Sequence, residues 1–365
     1  MDKIKKFFEC LIPETVCNLR CGYCYVIQRS QNTMKVPELD YPPEIIGKAL
    51  TQERLGGVCY FSICGAGETF VPDYLIEIVY ELLKNGHYVN ITTNGTLTKK
   101  MKRLETIPEE WRNRLQIAFS FHYLELVRLN LMDAFFSNIE FVKSLGCSFL
   151  VQLNLYDEYV PVLDEIKRIC IERVGAPPQI VATRKETSLT SKIELMTDYT
   201  IDEYTGFAKP FDSPLFDFTM KNFNVRRKEF CYAGSWTYTL NLKTGILKRC
   251  YASCIHQNIF ENIEKPIMDI AVGKCCGSLF CLNSSHFMSL GVIPSVKTTS
   301  YVALRNRKKG QWYTPQMEGF LSSKLIESNN EYNTPKKIAA NIISAGDKVA
   351  YHCYRIFVTL KRKKK

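Results

Sequence analysis

Thr15-Val16-Cys17-Asn18-Leu19-Arg20-Cys21-Gly22-Tyr23-Cys24-Tyr25 sets three cysteines in one short loop, spaced C-x3-C-x2-C. Three thiolates so close together can bind three irons of a cubane cluster and leave the fourth iron open. An open iron can chelate a small molecule, whereas a cluster with four cysteine ligands only carries electrons. A zinc loop is the competing reading. Zinc prefers paired C-x2-C knuckles that supply four ligands, and here no fourth cysteine comes until Cys59.

Outward from the loop the chain has a βα rhythm. Lys6–Thr15 reads as a first strand. Short apolar runs follow at Val58–Cys64, Tyr88–Thr93, Leu115–Phe121, Phe149–Leu155 and Gln179–Thr183. Each gap holds helical spacing. In the first, Pro72 and Asp73 suit a helix start, Leu75, Val79, Leu82 and Leu83 share a face, and Gly86 suits the stop. A later gap has Phe135, Ile139, Val142 and Leu145 before Gly146. Strands and helices of these lengths predict right-handed βαβ units and a parallel sheet buried on both faces. About six units fall short of the eight in a closed barrel, so an open, partial barrel is expected. Ligands then bind at the carboxyl ends of the strands.

The residues at those ends become the candidates. Gly65-Ala66-Gly67-Glu68-Thr69 follows the second strand, with glycines that admit close backbone approach and a carboxylate that can meet an ammonium. Thr93-Asn94-Gly95 ends the third and is equally readable as a plain Asn-Gly turn. Ser120 and His122 end the fourth; a hydrogen-bonded structural histidine is an equal reading of His122. Gln152 and Asn154 are polar in an apolar strand and need partners. Arg184 can pair with a ligand carboxylate or form a surface ion pair.

The loop, with aromatic Tyr23 before its third cysteine, closely resembles the radical S-adenosylmethionine (radical SAM) superfamily. The resemblance runs from about residue 8 to 290. It implies an α/β fold, a partial (β/α)6 radical SAM barrel, whose 4Fe-4S cluster on Cys17, Cys21 and Cys24 reductively cleaves SAM to a radical that abstracts a substrate hydrogen. It implies SAM contacts from Tyr23, Gly65, Gly67, Glu68, Thr93, Asn94, Ser120, Gln152, Asn154 and Arg184. It also implies an electron donor such as flavodoxin or ferredoxin. Ala66 and Thr69 depart from the family's usual Gly-Gly-Glu form, whereas Gly67 and Glu68 keep it.

A second cysteine group follows. Cys231 and Cys250 flank a stretch in which Trp236–Leu242 reads as a strand and Lys243-Thr244-Gly245 as its turn. Cys276 and Cys281 stand beyond, with Cys254 and Cys275 nearby. Four thiolates can converge from such a hairpin and a distant pair. The C-x13-G-x4-C unit resembles the opening of SPASM and twitch extensions, which implies a C-terminal cysteine-rich extension holding a second 4Fe-4S cluster on Cys231, Cys250, Cys276 and Cys281. Zinc is the alternative occupant. Cys10, Cys59, Cys64, Cys147, Cys170 and Cys353 read as core residues.

The 365 residues carry a net charge of +11 and 46% hydrophobic residues, enough for a sizeable core. The run from Lys361 to Lys365 reads as a solvated tail. No apolar stretch is long enough to span a membrane, and the start is not a signal peptide. Fifteen cysteines in a cytoplasmic protein are metal ligands, nucleophiles or buried residues rather than disulfides. Four regions are expected: the barrel at 1–186, a connecting segment of irregular structure at 187–230, an auxiliary-cluster domain at 231–291 and a basic extension at 292–365.

A sugar-like small molecule is the favoured substrate, from a looser resemblance to radical SAM proteins of polysaccharide biosynthesis carried by Cys276–Gly291, with Asn283 and its Leu290-Gly291 ending, then Arg305, Arg307, Trp312 and Phe320–Leu325. A maturase acting on a ribosomal peptide is the alternative. Only about 16 residues precede Cys17, which weighs against the separate peptide-binding domain such enzymes carry. A zinc or iron–sulfur protein binding nucleic acid through the basic tail is the reading from another class, and the SAM-like strand ends argue against it.

Overall fold

The computed structural model describes residues 2–33, 35–185 and 193–363. Six strands form the expected array: β1 (Lys6–Ile12), β2 (Cys59–Gly65), β3 (Tyr88–Thr93), β4 (Leu115–Ser120), β5 (Ser148–Leu155) and β6 (Gln179–Ala182). Each pairs in parallel with the next. Their side chains are buried almost without interruption, as strands covered on both faces must be. Helices Leu75–Lys84, Met132–Ser144 and Leu163–Val174 make three of the crossovers. Leu75–Lys84 starts later than Pro72 and Asp73 suggested, because the Asp73 carboxylate is taken by Lys100 and Arg103 rather than by the helix end.

Two short strands, β7 (Arg184–Lys185) and β8 (Glu194–Leu195), pair antiparallel. The expected hairpin forms as β9 (Thr237–Asn241) and β10 (Ile246–Lys248), with β11 (His256–Asn258) alongside. It does not stand alone. β9 lies parallel to β1, Phe7 opposite Thr237 and Leu11 opposite Asn241. One nine-stranded sheet therefore runs β11-β10-β9-β1-β2-β3-β4-β5-β6. Phe8 marks the join, its ring stacked on Phe61 at 4.7 Å and on Tyr238 at 5.4 Å.

The stretch expected to be irregular contains two helices. Ile201–Ala208 begins with a capping box between Thr200 and Glu203. Pro214–Lys221 begins with the Ser213 hydroxyl as cap and Pro214 in the first turn. Further on, helices Tyr301–Arg305 and Pro315–Ser322 close the end of the barrel where the strands start. The Phe149 amide donates to the Trp312 carbonyl at 2.8 Å, Gln179 Nε2 to the Arg305 carbonyl at 3.1 Å, and Tyr88 stacks on Phe320 at 3.6 Å. The opposite end, where the strands finish, is left for ligands.

The C-terminal helix spans Thr334–Lys363. It continues through Lys361, Arg362 and Lys363, where a solvated tail was expected; Lys364 and Lys365 lie outside the described residues. Its Asp347 forms a buried ion pair with Arg249, which follows β10.

Candidate active site

The cysteine loop leaves β1 and ends at Cys24, the residue preceding the short helix Tyr25–Gln28. Neighbouring strand ends hold it. The Arg20 amide donates to Glu125 Oε2 at 2.7 Å, and Asn18 Nδ2 donates to Thr96 Oγ1 at 2.8 Å. The Tyr23 hydroxyl meets His122 Nδ1 at 2.5 Å and Tyr159 at 3.2 Å. His122 is thus a structural partner of the loop as well as a wall of the site, and burial lowers its pKa to about 4.

The thiols suit a metal. The Leu19 amide points at Cys17 Sγ from 3.4 Å and Asn94 Nδ2 from 3.7 Å. Burial pushes the Cys17 thiol up to about 11 and the Cys21 thiol to about 12, with the neighbouring thiols adding to the rise. Such thiols ionise when a bound cation supplies the charge they lack. Three cysteines on one loop, with N–H donors on the Cys17 sulfur, fit the three-cysteine cluster.

The glycine-rich strand end fits by exclusion. A Cβ on Gly67 would stand 2.2 Å from the Val16 carbonyl oxygen, and one on Gly65 2.1 Å from Glu14 Oε1. Only glycine lets this turn lie against the loop. Glu68, buried beside it, accepts from Thr93 Oγ1 at 2.6 Å, the Asn94 amide at 2.7 Å and the Phe70 amide at 3.0 Å. It clamps the end of β2 to the end of β3. Asn94 is both a turn residue, with Gly95 at φ +70°, and a neighbour of Cys17. Beneath them Glu14 is buried, and neither of its carboxylate oxygens has a hydrogen-bond partner among the described residues. Burial, and then the nearby Glu68 charge, raise its pKa to about 8, so at neutral pH it is largely protonated.

These groups face a cavity of about 1010 Å³. Cys17, Cys21 and Cys24 line it, and so does every residue assigned to SAM from the strand ends, from Tyr23 to Arg184. The far wall joins Asn283 and Arg305, both named for the substrate from the sequence, to Tyr251, Ser285 and His286, which were not singled out. Behind that wall Glu9 of β1 accepts from Asn283 Nδ2 at 2.9 Å. Burial lifts its pKa to about 7, while Asn283 and the Arg305 charge pull it down. A glutamate inside the apolar run Lys6–Ile12 was the signal that would have marked it. Among the described residues Arg184 forms no ion pair; it donates to the Leu282 carbonyl at 3.0 Å and ties β7 to the second cysteine region.

That region gathers Cys231, Cys250, Cys276 and Cys281. Burial raises all four thiols, Cys281 to about 11, and electrostatic repulsion links every pair among them. Cys254 interacts instead with Asp347 and Lys248, and Cys276 is the member of the adjacent pair that joins. Gly273 fixes Cys231 through a reciprocal pair of backbone hydrogen bonds. Among the described residues, no three His, Cys, Asp or Glu side chains close round a point that one metal ion would take.

Several expectations change. Trp312, Phe320, Leu321 and Leu325 are core residues of the barrel's closed end, and Arg307 caps the carbonyls of Pro178, Phe211 and Asp212. Of the residues behind the looser resemblance, Arg305 and part of Cys276–Gly291, Asn283 included, reach the cavity. Cys10, Cys59, Cys147 and Cys170 are buried as expected, but Cys64 lines the cavity and Cys353 is exposed.

A family model described as the Radical SAM superfamily matches residues 11–151. No curated protein matches in sequence. Among solved structures, native anSMEcpe with bound AdoMet is similar at 16% identity and a TM-score of 0.51, over 98% of this chain and 100% of that one. The SuiB of Streptococcus suis bound to S-adenosylmethionine is 16% identical with a TM-score of 0.49, over 72% of this chain and 67% of that one. The first likeness extends the shared fold through the cysteine-rich C-terminal part.

Proposed function

We propose that this chain, whose residues 11–151 match the Radical SAM superfamily, is an enzyme that uses S-adenosylmethionine to remove a hydrogen atom from a polar, sugar-like small molecule held between its two cysteine groups. One observation carries the reading. A single cavity is bounded by the three-cysteine loop on one side and by Tyr251 and Asn283, neighbours of Cys250 and Cys281, on the other.

Cys17, Cys21 and Cys24 would hold the first cluster and the four later thiolates the second. When bound, these groups supply the electron that cleaves SAM to methionine and a 5′-deoxyadenosyl radical, and a route for the electron left on the product. The chain's own residues do the rest. Gly65 and Gly67 admit the ligand against the backbone, and Glu68 fixes the two strand ends that frame it. Gln152 and Asn154 of β5 present amides to the same space. Across it, Asn283, Ser285, His286, Tyr251 and Arg305 offer the donors and acceptors that hydroxyl or phosphate groups need. Arg305 is held by the Ser285 and Tyr301 carbonyls and by the Tyr301 ring, its carbon 3.7 Å from the ring centre. It is a fixed cation, suited to an anionic group on a sugar. The protein works in the cytoplasm with a flavodoxin- or ferredoxin-like donor.

The test is anaerobic reconstitution with iron and sulfide, reduction, and assay of 5′-deoxyadenosine with phosphorylated or nucleotide-linked sugars carrying deuterium. Deuterium in the 5′-deoxyadenosine supports the reading. Deuterium transfer from cysteine- or serine-containing peptides alone would replace it with the maturase reading.

A further inference from the structure

We propose that the C-terminal helix, Thr334–Lys363, is a docking surface for an anionic membrane, on which the protein lies without crossing. This goes beyond the reaction and stands whatever the substrate is.

The helix has 30 residues and is about 45 Å long. One side is fastened to the protein. Ala340, Ser344 and Asp347 are buried, and Asp347 accepts from Arg249, from Ser253 Oγ at 2.7 Å and from the Cys254 amide at 2.8 Å. The opposite side carries Ile338, Ile342, Val349, Ile356 and Leu360, which recur at helical spacing and are 54–68% exposed. Phe357 widens the stripe and is as exposed. Large aliphatic side chains aligned over this length and left in water mark an interaction surface.

The charges choose the partner. From Thr334 to the last residue the sequence has nine Lys or Arg and one acid, Asp347. That acid is the buried one. A second copy of the helix would bring the same cations and no exposed carboxylate to meet them, so the stripe does not complement itself. A bilayer with anionic headgroups offers both apolar depth and negative charge along the whole helix. Among the described residues no helix is long and apolar enough to cross a membrane, which leaves the interfacial pose. Tyr351, Tyr354, Arg355 and Val358, on the protein-facing side of the same helix, line the active-site cavity, so the helix that docks also walls the site.

Co-sedimentation of the full reconstituted chain with vesicles tests this. Binding to equimolar phosphatidylglycerol and phosphatidylcholine, absent with phosphatidylcholine alone and lost in high salt, is expected. Lys361→Glu, Arg362→Glu and Lys363→Glu together should weaken it about a hundredfold. Ile342→Glu with Ile356→Glu should weaken it about tenfold. Both variants should keep the wild-type iron content and helical circular dichroism; Ile342 and Ile356 are exposed and line no cavity. Equal binding to both vesicle types, no binding by the wild type, or a dimer that the isoleucine variant splits in sedimentation equilibrium would overturn the proposal.

Discussion

The two cysteine groups are built in opposite ways. The first is local: three thiols in eight residues, at the mouth of a large cavity, held by side chains from the strand ends around it. The second is assembled from three separated segments, away from that cavity's lining, and braced by a buried ion pair to a helix almost a hundred residues further on. A site that must admit a ligand needs an open, adaptable loop. The second set, by contrast, is enclosed by buried partners. The difference teaches that position in the sequence and position in the mechanism are separable: the loop could be moved as a unit, the second set could not.

Cys21→Ala tests the separation most severely. Formation of 5′-deoxyadenosine should fall to background, while the variant with all three loop cysteines replaced should keep about four irons on the second set. Loss of all iron would show that the two groups are not independent. The next largest effect is expected from Arg249→Leu. Breaking a buried ion pair and leaving Asp347 unpaired costs about 3–5 kcal/mol, read as a lower Tm and as reduced iron in the second set, with the first set still loading. Equal loss from both would merge the regions into one cooperative unit.

Glu68→Gln should weaken SAM binding about 10–100-fold by loosening the clamp between β2 and β3, measured by equilibrium dialysis, with the second set's iron unchanged. The smallest effect concerns Glu9, which lies between the regions. Its folded pKa of about 7 exceeds the ordinary 4.5. The folded state therefore holds the extra proton, and Glu9's contribution to stability falls as pH rises from 4.5 to 7 and is constant above. Substrate turnover should show an ionisation near 7 that Glu9→Gln lacks; an unchanged profile would remove Glu9 from the site.

The barrel and its loop were legible because their information is local. Three cysteines sit within one turn of chain, and each strand and helix announces itself by its own period. The loop and all ten strand-end candidates come together at one cavity. What was illegible depends on distant segments meeting. That Cys276 interacts with Cys231 and Cys250 emerges only from the folded chain. Tyr251, Asn283 and His286 form a wall only after the extension folds back. The helices at 201–208 and 214–221 have about two turns each, too short for periodicity to speak, although Thr200, Glu203, Ser213 and Pro214 marked their starts. Trp312 and Phe320 are built for burial, and their composition alone suited a sugar site as well.

The pairing of β1 with β9 has a consequence for how the chain is made. Of the strands in this sheet β1 is made first, and one of its edges waits for residues about 230 positions later. Until Thr237–Asn241 emerges, that edge is an unpaired template beside a nearly complete hydrophobic sheet. Contacts of such long sequence separation form slowly. The nascent barrel is thus most exposed to mispairing late in synthesis, and truncation anywhere before residue 237 should yield aggregate rather than a smaller soluble barrel.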